Sequence, residues 1–234
     1  MSVGMSPNGV VRPAWSNSNE ESREHEQREP VMKLYYAIGT CALSPHIVLR
    51  EAGLPYQLER VDLKTKKLTN GGEDFNEINP RGYVPVLALD DGRRLTEGPA
   101  IVQYIADLKP ESQLAPPAGT FERYHLQELL NFIGTEIHKS FSTLFNASAP
   151  EDWKNAVRDK LAQRFDWIDK ALDSRTYLMG DAFTVADAYL YTVLRWAKPH
   201  GIDLSRWPRL AAYYAAVGAR PRVREALKEE DPLK

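Results

Sequence analysis

The chain of 234 residues has a single cysteine, Cys41, so it can build neither an internal disulfide framework nor a multi-cysteine metal site, which fits a reducing cytosol. Its 30 basic and 32 acidic residues nearly cancel, to a formal charge of -2. Without a basic excess there is little to neutralise a phosphate backbone or an anionic lipid surface, and neither nucleic acid nor membrane is an expected partner. No apolar run approaches the roughly 18 residues of a membrane span, so a soluble protein is expected. The five histidines, at 25, 46, 125, 138 and 200, show no HExxH-type spacing, and no metal site is expected. What the chain does have is 43% apolar residues, enough for real cores in one large domain or two small ones.

Residues 1–31 combine Pro, Asn, Ser and Gly with the charged run Glu20–Glu29, and are expected to be disordered. They lack the continuous apolar core of a secretory signal, and their five glutamates argue against a transit peptide. Met32 opens the first strand and is a candidate alternative start. Organisation then changes at Lys109–Thr120, where three prolines and a glycine interrupt any periodic pattern. The expected division is 32–109, a linker at 110–120, and a helical domain over 121–234.

The stretch Tyr35–His46 holds the lone cysteine between an apolar-aromatic run and a helical pattern. Leu34–Ala37 suits a buried strand, Gly39 lets the chain turn, and Ile47, Val48, Leu49 and Ala52 recur at helical spacing. Pro45 is tolerated in a first helical turn, where its missing N–H has no use. Cys41 then stands where free helix amides and the positive end of the helix dipole stabilise a thiolate. The alternative is a small buried hydrophobe.

Gly53 and Pro55 end that helix, and Tyr56–Val61 alternates as a second strand, parallel to the first through a right-handed crossover. Lys64, Lys66 and Lys67 fall on a polar loop. Val84–Leu89, Asp90-Asp91-Gly92 and Arg94-Leu95 read as a β-hairpin, entered through Pro85, a candidate cis residue although trans is the default. Thr96–Ile101 starts a helix whose first amides favour an anion. Beyond the linker, Leu126, Leu130, Ile133, Ile137, Phe141 and Leu144 form one apolar stripe, and Trp153, Val157, Leu161, Phe165, Ile168 and Leu172 a second. Thr184-Val185-Ala186-Asp187 is a capping-box variant that makes Asp187 structural.

The order βαβ, ββα, linker, helices resembles a thioredoxin-like α/β domain followed by an all-α domain. Five separated stretches, MKLYYAIGTCALSPHIVLREAG, NPRGYVPVLALDDG, LTEGPAIVQYIAD, LNFIGTEIHKSF and FTVADAYLYTVLRWA, resemble the glutathione S-transferases, and in particular the bacterial, cysteine-containing beta class. The resemblance runs from about Met32 to the C-terminus. It implies a cytoplasmic, homodimeric alkyl or aryl transferase of detoxification type, with glutathione as co-substrate and no permanently bound cofactor. Its second substrate would be a small hydrophobic electrophile.

The resemblance also implies roles. Cys41 and His138 would lie beside the glutathione sulfur. Val84 would pair its backbone with the tripeptide, with Pro85 cis to aim it, while Glu97 and the Gly98 amide would hold the γ-glutamyl end. Lys66 would approach the glycyl carboxylate, its alternative being an ordinary surface lysine. Asn131, Thr135 and Lys139 would add polar groups from the long helix that opens the helical half. Tyr36, Phe141 and Trp196 would border the electrophile pocket, Tyr36 standing where other transferase classes use a tyrosine hydroxyl.

Two positions depart from the pattern: Ala42 and Gly98 replace serines, each removing a hydroxyl donor worth about 0.5–1.5 kcal/mol. Conjugation is the expected reaction. The alternatives are glutathione-dependent thiol–disulfide reduction through Cys41 and a non-catalytic ligand carrier or scaffold of the same fold.

Overall fold

Val31–Glu230 are the residues that the computed structural model describes; the first thirty and the last four positions lie outside them, and with them all but Val31 of the segment 1–31 expected to be disordered. Strand β1 (Met32–Tyr36) is almost wholly buried, as its apolar and aromatic residues require. Helix α1 (Leu43–Ala52) follows, closed by Gly53 in the left-handed region at φ 68°. Strand β2 (Tyr56–Asp62) pairs parallel to β1, with Leu34 opposite Leu58. A two-residue strand β3 (Lys67–Leu68) pairs antiparallel with β2. It corrects the reading of Lys67 as loop; the signal was too short to show periodicity.

Strands β4 (Val86–Ala88) and β5 (Arg94–Thr96) form the expected hairpin, and the sheet order is β3-β2-β1-β4-β5. The Val84–Pro85 bond is cis. Helix α2 (Gly98–Leu108) completes the thioredoxin-like half.

The helical half is α3 (Phe121–Phe132), a π-helical turn at Ile133–His138, α4 (Lys139–Phe145), α5 (Glu151–Leu172), α6 (Val185–Leu194), α7 (Pro208–Ala219) and α8 (Pro221–Glu230). Every residue of the first apolar stripe is buried. In the second, Trp153 is 55% exposed. It sits in the first turn of a 22-residue helix, and the core residues of that helix begin only at Leu161. Asp187 is wholly buried and caps α6: its carboxylate accepts from the Thr184 amide and hydroxyl at 2.8 Å each, from the Leu178 amide at 2.9 Å and from the Tyr213 hydroxyl at 3.0 Å. That set of donors accounts for a buried carboxylate.

One apolar core runs through both halves, from Met32 and Leu87 through Ile101 and Leu130 to Leu190 and Ala226. Helix α8 closes on α1: Arg220, between α7 and α8, makes a two-pronged ion pair with Glu51 at 2.7 and 2.8 Å, and the His46 ring nitrogens meet Glu229 at 2.9 Å and Glu230 at 3.3 Å. The helix that carries the Cys41 turn is thus held from the far end of the chain.

Candidate active site

The turn between β1 and α1 is built by its own polar atoms. Gly39 takes φ 75°, and the Thr40 hydroxyl donates to the Ala37 carbonyl at 2.7 Å while accepting from the Ala42 amide at 3.3 Å. The Leu43 amide bonds the Thr40 carbonyl at 3.4 Å and the Ser44 amide the Cys41 carbonyl at 3.1 Å. Pro45 has no N–H. The amides that were to hold a thiolate therefore have partners already, and the Cys41 sulfur keeps only its own amide.

Burial is the larger influence: it pushes the Cys41 thiol up to about 11, with the Glu97 and Glu230 charges adding to it. The thiol donates to the Val84 carbonyl at 3.6 Å. The expected thiolate is corrected to a neutral thiol at pH 7.

Facing it, the residues before the cis bond are held by Asn79, which is buried, donates to the Tyr83 carbonyl at 2.7 Å and accepts from the Arg81 amide at 3.2 Å. Lys66 props the same turn, its ammonium donating to the Gly82 carbonyl at 2.8 Å. Glu97 caps α2 with a backbone at φ 69°, a region costly for any residue with a Cβ. Its side chain is exposed and pairs with Arg81 at 3.3 Å. On Gly98 an added Cβ would meet only the Ser44 hydroxyl, at 3.9 Å, and that hydroxyl is buried with no hydrogen-bond partner among the described residues.

The third wall comes from the π-helical turn. Its wider winding lies between α3 and α4, a device that re-aims side chains at functional sites. Asn131, Thr135, His138 and Lys139 all face the resulting cavity of about 590 Å³, which Cys41, Val84, Pro85, Glu97 and Gly98 also line. His138 Nδ1 lies 2.6 Å from the Tyr189 hydroxyl. Burial, helped by the Lys139 charge, pulls its pKa down to about 4, so the imidazole is neutral at pH 7.

Family models for the glutathione S-transferase N-terminal and C-terminal domains match residues 39–108 and 151–216. Among solved structures, the bacterial transferase BphK in a ternary complex is 56% identical, covers 85% of this chain and 98% of its own, and superposes with a TM-score of 0.83. The chain belongs to the glutathione S-transferase family. Two more transferases, each 44% identical with a TM-score of 0.82, are a sphingomonad protein complexed with glutathione and a bacterial beta class protein of Sphingomonas chungbukensis. The first covers 86% of this chain and the whole of its own, the second 85% and 98%. As a glutathione transferase, this chain is an enzyme of the transferase class that acts with glutathione.

Not every residue expected at the site of this transferase lines the cavity. Lys66 does not, because its ammonium is engaged at Gly82. Tyr36 is buried in a small cluster with Phe75 and Val86, and Phe141 is fully buried. Trp196 is nearly buried and turns its indole N–H to the Gly39 carbonyl at 2.9 Å. The aromatic side chains on the cavity are instead Tyr83, Phe145 and Tyr189. Sequence reasoning also missed Asn79 and Ser142. Asn79, in the quoted NPRGYVPV stretch, was the most legible of these, since an asparagine two residues before an arginine amide is a turn former. Phe145 follows the last residue of the first apolar stripe and Tyr189 stands in the apolar run after Asp187, where nothing marks them off from core.

Proposed function

We propose that the cavity between the Cys41 turn, the cis Val84–Pro85 step and the π-helical turn is the glutathione site, and that its aromatic rim receives a small hydrophobic electrophile. The observation that carries this reading is the convergence of Cys41, Val84, Glu97, Gly98, Asn131, Thr135, His138 and Lys139, from distant parts of the sequence, on one cavity. The amides at the start of α2 suit the γ-glutamyl carboxylate and the Glu97 carboxylate suits its ammonium. The sheet half, residues 32–109, binds the tripeptide, and the helical half, 121–234, supplies the electrophile wall.

In the reaction the glutathione S–H releases its proton to solvent, and the thiolate forms the new C–S bond as the leaving group departs with its electron pair. His138 is too weak a base to store that proton at pH 7, so it serves as an uncharged hydrogen-bond donor. Each pKa unit by which donors lower the bound thiol is worth about 1.4 kcal/mol. Cys41, held as a thiol, is a neighbour of the reacting sulfur. Conjugation is favoured over disulfide reduction for that reason, since exchange needs Cys41 as thiolate.

A homodimer is proposed, on the exposed aromatic face that α3 and α5 present: Phe121 is 82% and Tyr124 61% exposed, beside a second cavity of about 580 Å³ lined by Leu129, Phe132 and Trp167. A reducing cytosol is the proposed compartment, on the free thiol of Cys41. The test of the whole reading is turnover of a panel of aryl and alkyl electrophiles and mixed disulfides with glutathione, compared for wild type and Cys41→Ala. Conjugation that persists in the variant while disulfide exchange is absent from both supports it; exchange alone, abolished by the variant, overturns it.

A further inference from the structure

Tyr189 is almost fully buried, lines the cavity, and makes a single hydrogen bond among the described residues, the 2.6 Å bond to His138 Nδ1. Donor accounting fixes the direction of that bond. If Nδ1–H donated to the phenol oxygen, the phenol proton would be buried without an acceptor, at a cost of about 1–3 kcal/mol. With the phenol donating, its proton and Nδ1 are both satisfied, the imidazole proton resides on Nε2, and Nε2 is left without a partner among the described residues.

Two neighbours hold this arrangement in place. Trp196 packs its ring edge against the imidazole at 5.0 Å, limiting rotation of the ring. Gly134, in the π-helical turn, lies against the phenol: the nearest atom to an added Cβ there would be the Tyr189 hydroxyl, at 3.6 Å. The phenol itself is held protonated, well above its ordinary range, by burial and by the nearby Cys41.

We propose that Tyr189 is a positioning residue of the transferase, donating to His138 Nδ1 and so fixing the tautomer whose Nε2–H faces the glutathione sulfur. The proposal rests on the glutathione reading of the cavity and adds a residue to it. Tyr189→Phe removes one oxygen and keeps the ring packing.

The first readout is the nitrogen-15 spectrum of the histidines in the free protein at pH 7. His138 is expected as the Nε2–H tautomer in wild type and as a mixture in Tyr189→Phe; an Nδ1–H wild type, or a variant spectrum identical to wild type, overturns the proposal. The second is kinetic. Tyr189→Phe is expected to lose about tenfold in kcat with less than a twofold change in the glutathione KM, and the double variant with His138→Gln is expected to match His138→Gln alone. Losses that multiply overturn the coupling. Wild-type protein without glutathione-dependent turnover overturns the functional reading and any role of Tyr189 in it, and is told apart from a failed tautomer claim because the spectrum is taken without glutathione.

Discussion

The indole N–H of Trp196 donates to the Gly39 carbonyl at 2.9 Å, joining residues 157 positions apart and tying the helical half to the turn that carries Cys41. The same indole packs edge-on against His138 at 5.0 Å and Phe145 at 5.1 Å, so one side chain touches both the Cys41 turn and the wall opposite. Trp196→Phe keeps much of the packing and leaves the Gly39 carbonyl without its donor, a loss of about 1 kcal/mol. The glutathione KM should rise about fivefold, as 1 kcal/mol corresponds to about that factor, with kcat falling less. Steady-state kinetics check this, and an unchanged KM would show that the tie does not position the turn.

The Cys41 thiol should be slow to alkylate. Burial holds it up to about 11, so the rate with iodoacetamide in the absence of glutathione should climb through pH 9 and reach its midpoint near 11. A midpoint below 8 would mean that the amides of the turn reach the sulfur after all.

His138 makes the fold acid-sensitive. Its folded pKa of about 4 lies below the ordinary 6.5, so between those values the unfolded chain takes up a proton that the folded chain refuses. The stabilising contribution is therefore complete above pH 6.5 and lost as pH falls towards 4, to a total of about 3 kcal/mol. Urea unfolding of wild type and His138→Gln across that window measures it: wild type should lose stability relative to the variant as pH falls, and parallel curves would contradict the buried neutral imidazole.

Ser44 and Gly98 offer a paired test. A buried hydroxyl with no partner costs about 1–3 kcal/mol, so Ser44→Ala should leave stability unchanged or raise it by about 1 kcal/mol. Gly98→Ser places a hydroxyl at the start of α2, where an added Cβ has only an ordinary contact, and should lower the glutathione KM about two- to tenfold. Thermal unfolding and kinetics read the two effects; a destabilised Ser44→Ala would show that the hydroxyl has a use.

What could be read from sequence was what local chemistry dictates. Gly53, the hairpin at Asp90–Gly92, the Thr184–Asp187 cap and the buried stripe from Leu126 to Leu144 each follow from residue types at fixed spacing, and the fold bears them out. The convergence of Val84, Glu97 and His138 with Cys41 came from the family resemblance, since spacing alone says nothing of what meets across a fold. What escaped depended on which way a side chain turns. Lys66 looks inward to Gly82 and Trp196 to Gly39, while Tyr189 and Phe145, indistinguishable in sequence from core residues, face the cavity. The π-helical turn that opens this wall inserts no proline or unusual residue run, only Gly134 within an otherwise regular stripe.

The central claim is that this cavity binds glutathione and ionises its thiol. Because Cys41 stays protonated to about 11, the protein's own thiol is silent at lower pH, and the ultraviolet thiolate absorption of wild-type protein saturated with glutathione, after subtraction of protein alone and of the unbound glutathione, reports the bound tripeptide. The account predicts a titration midpoint at least one unit below the roughly 8.5 of a free thiol. A midpoint at the free value, with the site occupied, would contradict it.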